Sequence, residues 1–279
     1  MFFEQLFLFI AILLYFFAIF FAIKIKKAVY CRYILLTGIL SQLTAIIIRW
    51  IDIGHPPIFG TYEAALQGSF FMALFILFSY KSIYEHFKAM VITALPLTIL
   101  IIFYGLAFNT ERIPLTVSEL NLWVDFHALF AWLAFGPLTL AFCLSAILLY
   151  KERKNGRIKN NLLSAILPQN DIIDELSFRY INFGFINHTI MFAMGCYYSS
   201  ILQGTWWDWD PVESTSLITW LCIALYIHMR LFYNWKEKKA AWFMVFIFFT
   251  ILISYWGLIY LPQGSTFHIF DLEYKGGHG

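Results

Sequence analysis

Eight apolar runs dominate this chain, at residues 2–23, 33–50, 64–80, 89–108, 122–150, 180–203, 214–234 and 240–261. Each approaches or exceeds the roughly 20 apolar residues with which an α-helix crosses the hydrocarbon core of a bilayer. Hydrocarbon holds no water to satisfy backbone groups, so helices are the economical reading of such runs. The run 122–150 is longer than one span needs and predicts a helix that tilts or projects past the bilayer surface. In a chain of 279 residues, eight spans leave little beyond short connectors. The expected fold is an all-α integral membrane protein, one bundle of about eight transmembrane helices forming a single polytopic domain over 1–279. Only 13% of residues are charged, about half the fraction of a soluble domain. That excludes a soluble globular fold, a disordered chain and a basic nucleic-acid binder. The first run starts at Phe2 with no basic segment and no small-residue cleavage site, and reads as a retained helix.

Charge orients the bundle. Alternate connectors carry Lys24, Lys26, Lys27 and Arg32; Lys81 and Lys88; Lys151, Arg153, Lys154, Arg157, Lys159 and Arg179; and Arg230, Lys236, Lys238 and Lys239. These are 16 of the 19 basic residues, and such an excess marks the cytoplasmic face. The opposite face has Arg49, Arg112 and Lys275, together with 11 of the 17 acids. Both termini then lie outside. The polar, basic stretch 151–178 reads as a short cytoplasmic connector. Cys31, Cys143, Cys196 and Cys222 are widely separated in apolar runs and form no CxxC, so they read as small buried hydrophobes.

The external face concentrates the unusual residues. Between the sixth and seventh runs stands Gly204-Thr205-Trp206-Trp207-Asp208-Trp209-Asp210-Pro211-Val212-Glu213. Asp210 suits a helix N-cap, Pro211 the first helical position, and Glu213 the position three residues after the cap. Local helix chemistry therefore accounts for the acids. Tryptophans are common at headgroup level, but three of them in four residues exceed that habit. A flat indole surface suits a large planar aromatic ligand.

At this segment the sequence resembles the CcsA/ResC-type cytochrome c biogenesis proteins, the heme-handling proteins of system II that carry a WWD domain. The resemblance extends through Gly54-His55-Pro56-Pro57 with Tyr62-Glu63, similar to the family's GHxP…YES segment. Ser177, Arg179, Gly184 and Phe185 resemble its entry into the helix before the tryptophan loop. Thr219-Trp220 and Tyr226-Ile227-His228-Met229-Arg230 resemble its TW…YLHTR helix. Tyr255, Gly257 and Gly264 fall at the last helix and its exit. The likeness covers about residues 49–268. The chain departs from the pattern at Gly60 and Ala64, and at the exit, where His268 falls two residues late.

The resemblance gives the histidines their roles. His127 near the outer start of helix 5 and His268 after helix 8 match the external histidines that flank the WWD segment. Two imidazoles beside an aromatic platform also suit a bis-His heme, which takes one axial nitrogen on each face. His228 matches an intramembrane heme ligand whose partner comes from the companion CcsB/ResB protein. His188, about nine residues into helix 6, has no counterpart in the family motif. At 1.5 Å per residue it falls in the same inner half of the bilayer as His228. It reads either as a second inner ligand or as a packing residue. Trp206, Trp207, Trp209, Asp210 and Glu213 complete the cofactor-binding set, and Arg49 and Arg112 are candidates for the propionates. His55, in a loop stiffened by two prolines, reads equally as loop-shaping or substrate-positioning.

The implied function is heme delivery within a membrane cytochrome c synthase. Heme b is moved to the outer face of a bacterial cytoplasmic membrane for thioether attachment to a CxxCH apocytochrome c. The implied partners are a CcsB/ResB-type membrane protein, the apocytochrome and the bilayer. No catalytic acid, base or nucleophile is required on this chain, so synthase activity belongs to the complex. The alternative is a bis-His membrane cytochrome b that transfers electrons; it requires paired histidines and leaves the tryptophan loop unexplained.

Overall fold

The computed structural model describes residues 2–24, 27–82, 87–108, 110–111, 115, 120–153 and 169–257. Helix α1 spans Phe2–Lys24, α2 Ala28–Ile53, α3 Gly60–Ser82 and α4 Phe87–Leu106. Helix α5 spans Leu122–Arg153, α6 Asn170–Gln203, α7 Pro211–Phe232 and α8 Glu237–Leu252, which continues as a π-helical turn over Ile253–Gly257. The described residues form no strands. Seven of these helices are long and apolar enough to cross a membrane. The eighth, α6, is the longest at 34 residues; Asn182, Asn187 and His188 dilute its hydropathy. The all-α integral membrane fold is as the apolar runs predict.

The start of α6 departs from expectation. Residues 170–178 are helical, not part of a connector reaching from 151 to 178. The sequence there is polar, but its buried residues Ile173, Asp174, Leu176, Ser177 and Ile181 recur at helical spacing. A reading that seeks uninterrupted apolar runs passes over them.

Antiparallel pairing fixes the levels within the bundle. Ser177 donates to the Ala141 carbonyl at 3.3 Å, and His127 meets the Met191 carbonyl at 2.9 Å. The spacing from Ser177 to Met191 on α6 matches that from His127 to Ala141 on α5, so the two helices run side by side in one register. Helix α7 pairs with the adjacent stripe of α6. Arg230 contacts Asp174 and Ser216 contacts His188, again at matched spacing.

Three helices share a polar knot far from water. Tyr15 of α1 donates to Gln42 of α2 at 2.6 Å. Gln42 in turn donates to Ser69 of α3 at 2.8 Å and to the Leu66 carbonyl at 3.0 Å. In hydrocarbon each of these groups would cost free energy if unpaired, so the knot ties the first three spans together. At one end of the bundle stand Lys24, Arg32, Lys81, Arg153, Arg230 and Lys236; this is the basic end. The tryptophan loop occupies the other.

Candidate functional site

Glycine ends α6. Gly204 adopts a left-handed φ of +76° and returns its N–H to Ser200, a conformation that carries no Cβ penalty in glycine. The chain then folds back along α6, and Trp207 comes within 5.4 Å of Phe192. Helix α7 restarts at Pro211. Asp210 caps it, its carboxylate accepting the Val212 N–H at 2.6 Å. Glu213 accepts the Asp208 N–H at 2.9 Å, reaching two residues beyond the cap that its spacing suggests. Both acids therefore shape the loop.

The three tryptophans do three different things. Trp207 lines a cavity of about 290 Å³. Trp209 stands edge-on to it at 5.6 Å and 89°, and is 72% exposed. Trp206 turns to the outside. It lies 5.9 Å from Tyr197, which lies 4.6 Å from Trp123, so these rings form an exposed aromatic row. Trp206 is not among the residues that line the cavity.

The cavity is mostly aromatic and apolar. Phe59 and Gly60 come from the segment after the His-Pro-Pro loop, and His127, Ala131 and Trp132 from α5. Met191, Gly195, Cys196 and Ser199 come from α6, and Glu213 and Ser216 from α7. Ser254, Tyr255 and Trp256 of the π-turn close it. Tyr255 donates to the Ala131 carbonyl at 3.0 Å. Such π-turns are frequent at functional sites. Met191, Gly195, Trp132 and Trp256 are absent from the sequence-based set. Their spacing, 127–131–132 on α5 and 191–195–199 on α6, marks one face of each helix and is the signal that points to them.

Among the described residues, His127 is the imidazole that lines the cavity. Its Nδ1 faces the Met191 carbonyl at 2.9 Å. A carbonyl only accepts, so in the neutral ring Nδ1 carries the proton and Nε2 is the unprotonated nitrogen. This is the tautomer found in metal-ligating histidines. His268 and Arg112 lie outside the described residues.

His188 is fully buried, with Nε2 at 3.3 Å from both the carbonyl and the hydroxyl of Ser216. Ser216 lines the cavity, so His188 belongs to the layer directly beneath it. His228 lies twelve residues beyond Ser216 on α7, about 18 Å along the axis. The two do not share the inner half of the bundle as the sequence suggests, because α6 begins earlier than its apolar run and His188 sits higher, level with Ser216 near the start of α7. His228 is exposed on the flank of α7, stacked on Phe232 at 4.6 Å.

Arg49 is consumed internally. It is 3% exposed. It donates to Glu63 at 3.0 and 2.9 Å and to the carbonyls of Thr110 and Glu111 at 2.7 and 3.1 Å. A buried guanidinium needs such partners, so Arg49 holds the bundle end and is not offered to a ligand. Glu63 also accepts the Phe59 N–H at 3.0 Å, tying this network to the cavity wall. His55 contacts the Pro56 carbonyl at 2.9 Å and the Phe59 ring edge, which shapes the same loop.

These features define a polytopic membrane protein built around an aromatic-walled cavity with an oriented imidazole at its side. The chain belongs to the cytochrome c assembly protein family, whose pattern it matches over residues 1–265. Among its relatives is the cytochrome c biogenesis protein CcsA of Prochlorococcus marinus subsp. pastoris, 27% identical over 88% of this chain and 87% of the relative. The CcsA proteins of Guillardia theta, 27% identical over 86% of each chain, and Heterosigma akashiwo, 26% over 77% of each, are similar.

Proposed function

We propose that this protein handles heme b in cytochrome c maturation, holding it in the cavity beside Trp207 with His127 as an axial ligand. The observation that carries this reading is the His127 ring, whose Nδ1 is held by the Met191 carbonyl at 2.9 Å, so that Nε2 is the nitrogen that would face a heme iron. The aromatic walls suit a macrocycle. Family membership supports a role in cytochrome c biogenesis. The cavity end faces outward across a bacterial cytoplasmic membrane, as the distribution of Lys and Arg suggests.

The chemistry is addition of a thiol across a heme vinyl group. Sulfur bonds to the vinyl carbon next to the ring, and the terminal carbon takes the proton. The apocytochrome supplies the thiols. This chain contributes orientation and exclusion of water: Trp207, Tyr255 and Trp256 wall the macrocycle, and Asp210 and Glu213 hold the loop that carries Trp207. His268 is the second external ligand in this reading. His228, exposed on α7, is an inner ligand that a helix of a CcsB/ResB-type partner completes. The cytochrome b alternative gains nothing from His188 on α6 and His228 on α7, whose levels in the bundle differ by about 18 Å.

The test is co-expression with an apocytochrome c and a CcsB/ResB-type partner, followed by heme staining of the product. Trp207→Ala and His127→Gly should lower heme in the purified protein and abolish the stained cytochrome. Added imidazole should partly restore His127→Gly. Normal heme content in both variants would refute the reading.

A further inference from the structure

Three polar groups of α6 and α5 meet at one point that the mechanism above leaves unexplained. The Met191 carbonyl already belongs to the helical ladder of α6, where its partner is the N–H of residue 195. The His127 Nδ1–H reaches the same oxygen from the side, at 2.9 Å. In a helix the Cβ of residue i+4 leans toward the N-terminus, over the carbonyl of residue i. Residue 195 is glycine. A Cβ placed there would stand 3.0 Å from His127 Cε1 and 3.1 Å from Nδ1. Both are closer than ordinary van der Waals contact, and the whole of the clash falls on the imidazole.

We infer that Gly195 is a positioning residue for His127: its missing side chain opens the Met191 carbonyl to the imidazole, and that hydrogen bond fixes the tautomer and plane of the ligand. The inference rests on the reading of His127 as a heme ligand. Gly195 has no left-handed backbone, since it sits within α6, so conformational freedom does not explain a glycine in mid-helix. In such a position glycine costs roughly 0.5–1 kcal/mol relative to alanine. The geometry of its neighbour does explain it. A hydrogen bond from Nδ1–H to a carbonyl raises the basicity of the metal-bound nitrogen, which stabilises the ferric state. Losing it moves the reduction potential upward.

Helix α6 supplies its own control. Gly184 also faces α5, where a Cβ would meet Leu138 Cγ at 2.5 Å, a tighter contact about three turns below Gly195. The experiment compares Gly195→Ala, Gly195→Val and Gly184→Ala in the full chain, co-expressed with its membrane partner and purified with heme bound. The readouts are the visible spectrum, the reduction potential and the melting temperature. Gly195→Val should shift the heme bands and raise the potential, with Gly195→Ala intermediate. Gly184→Ala should lower the melting temperature while leaving spectrum and potential as in the parent. Parental spectrum and potential in both Gly195 variants would overturn the inference, as would equal shifts in Gly184→Ala. If Gly195→Val does not accumulate, Gly195→Ala decides. His127→Gly separates the levels. An unchanged spectrum there removes the ligand reading and this inference with it. A changed spectrum beside silent Gly195 variants removes only the positioning role.

Discussion

Arg230 Nη1 lies 2.6 Å from Asp174 Oδ2 at the basic end of the bundle, and this buried pair locks α7 against α6. Fourteen residues along each helix, about 21 Å away, His188 meets Ser216. The ion pair is one end of a rail whose other end is the cavity. Asp174 also accepts the Glu237 N–H at 2.9 Å, and Arg230 donates to the Trp235 carbonyl at 3.2 Å. Three helices therefore converge on one carboxylate.

Asp174→Ala removes the anion and leaves Arg230 buried without its charge partner. Breaking one side of such a pair costs roughly 3–5 kcal/mol, and the Glu237 N–H loses its acceptor as well. The melting temperature in detergent should fall markedly. Replacing both partners, as Asp174→Leu with Arg230→Met, should cost less than Asp174→Ala alone, because no charge is then stranded. A double variant less stable than the single would show that the pair has a net worth beyond mutual neutralisation.

The same rail sets His228 far from the level of the cavity. His228 stands level with residue 176 of α6, and His127 stands level with Met191, about 22 Å higher. His188→Ala should therefore leave any chromophore at His228 untouched and should instead perturb the cavity through Ser216. His228→Ala should leave the spectrum of heme held at His127 unchanged while reducing its amount. Difference spectra of the two variants check this. A common spectral change in both would mean that the histidines share one ligand.

Much of the bundle was legible because hydrocarbon imposes one rule. Backbone groups must pair internally, so each apolar run became a helix near its expected place. The N-cap at Asp210 and the first helical position at Pro211 were equally readable, since capping chemistry is local. Depth was harder. Polar residues at 170–178 hid three turns of α6, and with them the level of His188. The tryptophan segment read as one surface, yet its rings diverge. The turn after Gly204 sends Trp206 toward Tyr197 and Trp207 toward Phe192. That divergence depends on backbone angles, which residue type alone does not reveal. Arg49 was misread for a related reason. Its partners Glu63 and Thr110 lie on other elements, so the charge looked available in sequence and is spent in the fold.

Glu63 gives a direct probe of the cavity wall. One carboxylate holds Arg49 through two N–H groups and Phe59 through its backbone. Glu4 Oε2 also stands 4.0 Å from Arg49, so Glu63→Ala does not strand the guanidinium, and it should destabilise the protein by roughly 1.5–3 kcal/mol through the lost charged hydrogen bonds. Glu63→Gln keeps an acceptor for Phe59 and should cost distinctly less. Because Phe59 and Gly60 line the cavity, heme retention should fall in step with stability across the two variants. Full retention in an unstable Glu63→Ala protein would detach this network from the site.

Trp209 carries a conflict between stability and use. Its φ is +55°, in the left-handed region where a bulky residue is an outlier. Strain of this kind costs roughly 1–3 kcal/mol. The ring recovers little by burial, being 72% exposed. Its edge contact with Trp207 returns roughly 0.5–1.5 kcal/mol. The balance favours a smaller residue, and asparagine tolerates this conformation without glycine's loss of chain entropy. Trp209→Asn should therefore leave the melting temperature unchanged or raise it. On the function proposed above it should also lower bound heme and cytochrome maturation, because the exposed indole stands beside Trp207 of the cavity wall. The two measurements on one variant separate the possibilities. A fall in melting temperature with maturation intact would mean that the tryptophan is there for packing, and the strained backbone would then have no functional reading.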